Sequence, residues 1–358
     1  CTNRLYCLIN KRIKFIMAYT TIKKPSSYFN TKLYTGTESS NSITGVGFQP
    51  DMVWIKNRST THDHRLADAV RGVPNLLYPS TTDVAGNDGN AISSLDSDGF
   101  TVGSSTAVNG NGNNLVAWNW LGANGTASNT DGSISSTVSA NTTSGFSIVS
   151  YTSTGSNATV GHGLGVAPSM MIFKRRSGDT ENWVVYHKSL GATKNIKLNL
   201  TDAVSTSSTR FNDTEPTSSV FSLGTSGDTN GGTSPFIAYC FAEKQGFSKF
   251  GSYTGNGNAD GTFIYTGFKP AFVLIKETNT AGTDWRMMDN KRSTFNLVDD
   301  RLFPNLNIAE NTGDGYDFLS NGFKIRSSGG DFNGIGDSYI YMAFAEEPLV
   351  GDNPATAR

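Results

Sequence analysis

The stretch "YTGNGNADGTFIYTGFKPAFVLIK" runs from Tyr253 to Lys276, and two earlier stretches follow its plan. They are "YTGTESSNSITGVGFQPDMVWIK" from Tyr34 to Lys56 and "YTSTGSNATVGHGLGVAPSMMIFK" from Tyr151 to Lys174. In each, a proline (Pro50, Pro168, Pro270) stands six residues before a lysine (Lys56, Lys174, Lys276). Between them lie "DMVWI", "SMMIF" and "AFVLI", apolar at successive positions, which predicts a strand covered on both faces.

The repetition extends well beyond these phrases. Fifteen residues after the prolines come Arg65, Trp183 and Trp285. Further on come "SDGFTVG" (97–103), "SSVFSLG" (218–224) and "SNGFKIR" (320–326). Asp98-Gly99 and Asn321-Gly322 there predict hairpin turns whose two central residues have positive φ. Each copy closes on "LVAWNW" (115–120), "FIAYCF" (236–241) or "IYMAFA" (340–345). In register, Val116, Trp118 and Trp120 match Ile237, Tyr239 and Phe241, then Ile340, Met342 and Phe344. Large residues alternate with small ones, the period of a strand with one bulky core face.

These spacings predict an all-β chain of three tandem β-sandwich modules, each long enough to bury its own core. Module boundaries fall at 17–122, 146–246 and 247–349. Residues 123–145 contain no aromatic side chain and read as a Gly/Ser/Thr linker with at most a short strand, so the first module can sit apart. The join between the second and third is short and carries Phe247 and Phe250, which predicts rigid docking. Residues 350–358 form a polar tail. Residues 1–16 are basic and unlike the rest, so Met17 reads as the natural start and the preceding segment as upstream sequence or a processed leader.

Composition narrows the function. Lys plus Arg number 29 against 30 acids, a balance that gives no electrostatic reason to expect nucleic acid or an acidic membrane surface. No apolar run approaches the ~20 residues of a membrane span. After Met17 only Cys240 remains, which excludes a disulfide framework and a cysteine-based zinc site. No Gly-x-Ser-x-Gly elbow and no phosphate-binding loop appears. The tripeptide His62-Asp63-His64 has no counterpart in the other copies and reads as a polar loop tip. The loops holding Asn256, Asn258 and Asp260, and Asp314 and Asp317, have the oxygen-rich character of calcium sites, but ordinary turns use the same residues. No cofactor is expected; calcium is the one candidate weighed, with those five residues its candidate ligands. Trp183 and Trp285 are the candidate glycan platforms, weighed against burial, which their shared position favours.

The motifs "GFQPDMVWIKNR" (47–58), "DAVRG" (68–72), "SLDSDGF" (94–100) and "VAWNW" (116–120) resemble a repeated domain of proteins common in marine bacteriophage genomes, often beside tail and structural genes. "NWVVYHKSLGATK" (182–194), "AYCFAEKQGFSKFGSYTGNG" (238–257) and "YIYMAFAE" (339–346) resemble later parts of the same proteins. That family is similar in character to concanavalin-like and jelly-roll sandwiches. The resemblance implies a virion component. The expectation built on it is a non-enzymatic protein on the particle surface, a tail fibre, appendage or capsid decoration. It implies attachment to host surfaces or glycans, and partnership with further copies and other virion proteins. The alternatives are a glycan-degrading enzyme of the particle and a bacterial surface-filament subunit.

Overall fold

Each Pro-to-Lys stretch forms a strand inside a large sheet: Met52–Asn57, Met170–Arg175 and Phe268–Glu277. A computed structural model describes residues 19–356, so Met17 and residues 1–16 lie outside the described residues. The described chain is all-β, and its α-helices are single turns of four residues.

Four strands recur in one order in every copy of the repeat. An opening strand (Phe29–Thr35, Phe146–Thr152, Ser248–Thr254) pairs with the closing strand (Asn114–Trp120, Pro235–Phe241, Ser338–Pro348). The closing strand pairs in turn with the Pro-to-Lys strand. The latter pairs with a short fourth strand (Arg65–Asp68, Val184–His187, Arg286–Asp289). All these pairings are antiparallel. A smaller sheet lies against one face, built around Gly99–Val102, Val220–Leu223 or Gly322–Ile325. The two layers enclose an apolar cluster in each copy: Val53, Phe100 and Leu115 in the first, Phe173, Phe221 and Ala238 in the second, Val273, Phe323 and Tyr341 in the third. This arrangement is β-sandwich-like.

The hairpins expected at Asp98-Gly99 and Asn321-Gly322 form, but with different chemistry. Asp96 pairs with Gly99 and Leu319 with Gly322, so the turn residues are Ser97-Asp98 and Ser320-Asn321. Neither Asp98 nor Asn321 has positive φ. The glycines begin strands because a Cβ there would lie 1.9 Å from the Ile43 carbonyl oxygen or 2.1 Å from that of Ile264. Close backbone approach, not turn type, demands glycine at both places.

The other face of each large sheet is equally apolar, and the three faces meet. One cluster of buried residues draws on all three copies, with Trp54, Trp118 and Trp120 from the first, Ile172, Trp183 and Phe241 from the second, and Phe272, Trp285 and Phe344 from the third. Trp120, Phe241 and Phe344 occupy one register position on the closing strands, each opposite the residue two after the proline. Their ring centroids form a near-equilateral triangle with sides of 5.9, 6.1 and 6.3 Å. The three repeats thus surround a pseudo-threefold axis filled with aromatic rings. A void of about 10 Å³ remains near it, walled by apolar side chains, at the lower limit for one water and offering that water no partner.

This core corrects the expectation of a first module set apart on a linker. Residues 123–145 carry the strands Ala127–Asn129 and Ser136–Asn141, which, with Lys194–Lys197 and Ser205–Thr206 at the other edge, extend the second repeat's sheet to eight strands. Buried Asp51 of the first repeat holds this segment, accepting from Gly122 N–H at 2.7 Å and from Ser139 Oγ at 3.0 Å. Low aromatic content misled because an edge strand needs only small side chains when its backbone is paired. Phe247 and Phe250 also enter the central core, 5.6 and 6.3 Å from Phe344.

Candidate functional site and interaction surfaces

Polar groups gather at the seams between repeats. Ile55 pairs with Arg65, Phe173 with Val184 and Ile275 with Arg286. Ten positions separate the first pair and eleven the others, so the first repeat's loop is one residue shorter. The structural counterpart of Trp183 and Trp285 is therefore His64, not Arg65. Trp183 Nε1 donates to the carbonyl of Tyr78 in the first repeat at 3.0 Å, and Trp285 Nε1 to that of Lys197 in the second at 2.8 Å. His64 closes the circle. Its Nδ1 accepts from Trp54 Nε1 at 2.9 Å, leaving Nε2–H to donate to the Phe303 carbonyl in the third repeat at 3.0 Å.

A second ring lies beside the first. Asp68 and Asp289, equivalent on the fourth strands, each bind an arginine three residues on: Arg71 and Arg292, both at 2.6 Å. Each also accepts a donor from a neighbouring repeat, Tyr239 OH to Asp68 at 2.7 Å and Trp118 Nε1 to Asp289 at 3.1 Å. At the third seam the donor position holds Met342, which has no hydrogen to give. There the aspartate and arginine are replaced together, by His187 and Leu190, and His187 Nε2 meets the Tyr341 carbonyl at 3.2 Å. A buried carboxylate without donors would be costly, so all three substitutions belong together.

Lys56, Lys174 and Lys276 form a third equivalent set, each fully buried. Lys56 Nζ donates to the Asn307 carbonyl in the third repeat and Lys174 Nζ to the Thr82 carbonyl in the first, while Lys276 Nζ reaches Thr283 Oγ1 within its own repeat. Burial pulls all three ammonium groups down to about 8. Two residues beyond each lysine the chain accepts one backbone bond from the next repeat: Glu310 N to Arg58 O, Ala85 N to Arg176 O and Val204 N to Thr278 O.

The residues singled out from the sequence fall into this scheme or outside it. Trp183 and Trp285 are buried, at 0% and 1% exposure, and cannot present a face to a sugar. His64 is no loop tip: both ring nitrogens are engaged and burial holds its pKa well below the usual value. Asp63 turns away to accept from Ser80 Oγ, so the tripeptide does not assemble. Cys240 is buried, with its thiol pushed above its ordinary range by desolvation.

In the 255–261 loop, Asn256 Oδ1 accepts from Asn333 and Asn258 N–H, and Asn258 Oδ1 from Asp260 N–H. Asp260 pairs with Lys324 and Arg326, and Asp317 with Arg326. Asp314 is exposed on the neighbouring strand. Cations and loop N–H groups thus engage the oxygens of Asn256, Asn258, Asp260 and Asp317. Among the described residues no group of three His, Cys, Asp or Glu is placed to hold a metal.

Sequence reasoning missed the buried Asn109, Asn230 and Asn333, which end the three helical turns Thr106–Asn109, Gly227–Asn230 and Gly330–Asn333. Each accepts from a loop N–H (Thr37, Thr154, Asn256) and donates to two loop carbonyls. The tyrosine of each opening phrase (Tyr34, Tyr151, Tyr253) donates to the carbonyl just before the asparagine. Their common spacing from the closing strand was the signal available.

Residues 24–348 match a family described as a domain of unknown function, DUF7483. The chain belongs to the DUF7483 family. No curated protein and no solved structure matches it. The single family match runs across all three seams, so this DUF7483 domain includes the whole pseudo-threefold arrangement.

Proposed function

We propose that this DUF7483 protein is a non-enzymatic structural component displayed on a bacteriophage particle, as a tail appendage or capsid-surface decoration, where it contributes to attachment to host surfaces. One observation carries the reading: His64, His187, Asp68, Asp289, Lys56 and Lys174, buried groups that could have done chemistry, bind one repeat to the next. A closed, three-sided body with a neutral, Ser/Thr/Asn-rich exterior is suited to standing in a multi-copy array, where weak contacts add through avidity. The motif resemblance to phage structural proteins supports the setting. Immunogold labelling with antibody to the purified protein, on intact particles of the phage encoding it, tests this. Regular labelling at the tail or capsid is the expected result. Labelling absent from particles while present in infected-cell lysate, or turnover of host-envelope polysaccharide by the purified protein, would overturn it.

A further inference from the structure

The opening strand holds the same place in all three large sheets, but among the described residues only one is covered. In the second repeat Ser136–Asn141 pairs antiparallel along Phe146–Thr152. The equivalent strands Phe29–Thr35 and Ser248–Thr254 end their sheets. Burial follows this difference: Val149 is buried, whereas its counterparts Lys32 and Gly251 are half-buried.

The first repeat's edge shows what is missing. Leu121 N–H donates to the Tyr28 carbonyl at 2.9 Å, so alternate residues of this ladder bond inward and Phe29, Thr31 and Leu33 turn their backbone groups outward. A groove of about 320 Å³ runs beside Lys32, Leu33 and Lys291. It shares Asn30, Thr31 and Lys291 with a second, of about 160 Å³, that reaches Asn290. Thr31 and Asn290 line this second groove, and their buried Oγ1 and Oδ1 have no hydrogen-bond partner among the described residues, the two residues being 5% and 3% exposed. Unpaired buried polar atoms are costly, and here they stand beside an open strand edge.

We propose that Phe29–Thr35 is a strand-addition site for an extended, uncharged Ser/Thr/Val/Ala-rich segment of a partner protein. The chain supplies the template, because "STVSAN" (136–141) covers the same edge one repeat later. Backbone bonds to Thr31 and Leu33 give the affinity, and small side chains fit the seam. A second copy of the same edge is a poor occupant, since antiparallel self-pairing about its centre sets Lys32 against Lys32.

The test uses the full chain and an acetylated, fluorescently labelled peptide of residues 134–142, "ISSTVSANT". Saturable binding is expected, with amide exchange at Thr31 and Leu33 slowed by about tenfold or more. Methylating alternate backbone nitrogens of the peptide, on its bonding edge, abolishes binding and leaves the protein untouched. Leu33→Pro removes an outward N–H that bonds to nothing among the described residues and weakens binding to a similar degree. No binding, or equal binding of the methylated peptide, overturns the proposal. Protection at Ser252 without Thr31 overturns the assignment to the first repeat. Protection of Thr31 by self-association without peptide overturns the choice of partner, and loss of protection at Ile148, which faces the resident strand, shows exchange with that strand instead.

Discussion

His187 stands where two other repeats place an aspartate, and the reason is a methionine on a different strand. Reverting it alone, as His187→Asp, places a carboxylate beside Leu190 and Met342, neither of which can donate, with only backbone N–H groups such as that of Ser189 in reach. A cost of about 3 kcal/mol is expected in urea denaturation, the scale of an uncompensated buried charge. Adding Leu190→Arg and Met342→Tyr reconstructs the Asp68–Arg71–Tyr239 arrangement, and most of the loss should return; additive losses across the three changes would disprove the coupling.

The same seams set the pH response. Burial lowers His187 to about 4 and His64 well below its ordinary value. The unfolded chain therefore binds protons below pH 6.5 that the folded chain refuses, and stability falls as pH drops from 6.5 toward 4. The lysines act at the other end. With folded values near 8 against 10.5 unfolded, the unfolded state holds more protons between those limits, so stability rises with pH from about 8. Above pH 10 buried tyrosines such as Tyr239, held well above their usual value, reverse the trend. Urea midpoints measured from pH 4 to 11 should therefore climb, continue upward past 8 and turn over near 10.

At the scale of the element, the tyrosine–asparagine clasp explains why one phrase is written three times. Tyrosine pins a helical turn, and the asparagine ending that turn gathers the loop that follows the tyrosine. Asn333→Asp keeps the shape and the acceptor but loses both N–H donors, leaving the Asn258 and Ser327 carbonyls unpaired. About 2 kcal/mol of destabilisation is expected, with amide exchange accelerating in residues 254–262. Gly36 and Gly255 belong to the same device. A Cβ on either would meet a backbone oxygen at 2.1 or 2.2 Å, so Gly36→Ala should cost about 1–3 kcal/mol. The second repeat has Ser153 there, its Oγ–H within reach of the Gly231, Gly232 and Ser234 carbonyl oxygens, any one of which can accept it.

At the scale of the whole molecule, each repeat has an internal core and one face of a shared core. Calorimetry should show one cooperative transition rather than an early melt of the first repeat. A fragment of residues 19–122 would expose Met52, Trp54, Trp118 and Trp120 to water and should aggregate or bind a hydrophobic dye. Trp120→Ala opens a hole at the axis and should lower stability by about 3–5 kcal/mol, without a separate transition appearing. Two resolved transitions in the native protein would contradict the shared core.

The all-β class, the Pro-to-Lys strands and the bulky closing strands were legible in the sequence, because strand periodicity and spacing are local quantities written along the chain. Which face met what was not. Trp118, Tyr239 and Met342 share a register, but only their partners across the seams show why a donor, a second donor and a thioether go with Asp289, Asp68 and His187. A loop one residue shorter hid the kinship of His64 with Trp183 and Trp285, since counting from proline cannot see strand pairing. Residues 123–145 read as a tether because an edge strand is held by its backbone, and backbone bonds leave little mark on side-chain composition. Closure around the axis is a property of three surfaces at once, and their contacts join residues far apart in the chain, as Phe29 and Phe344 are, stacked at 4.8 Å.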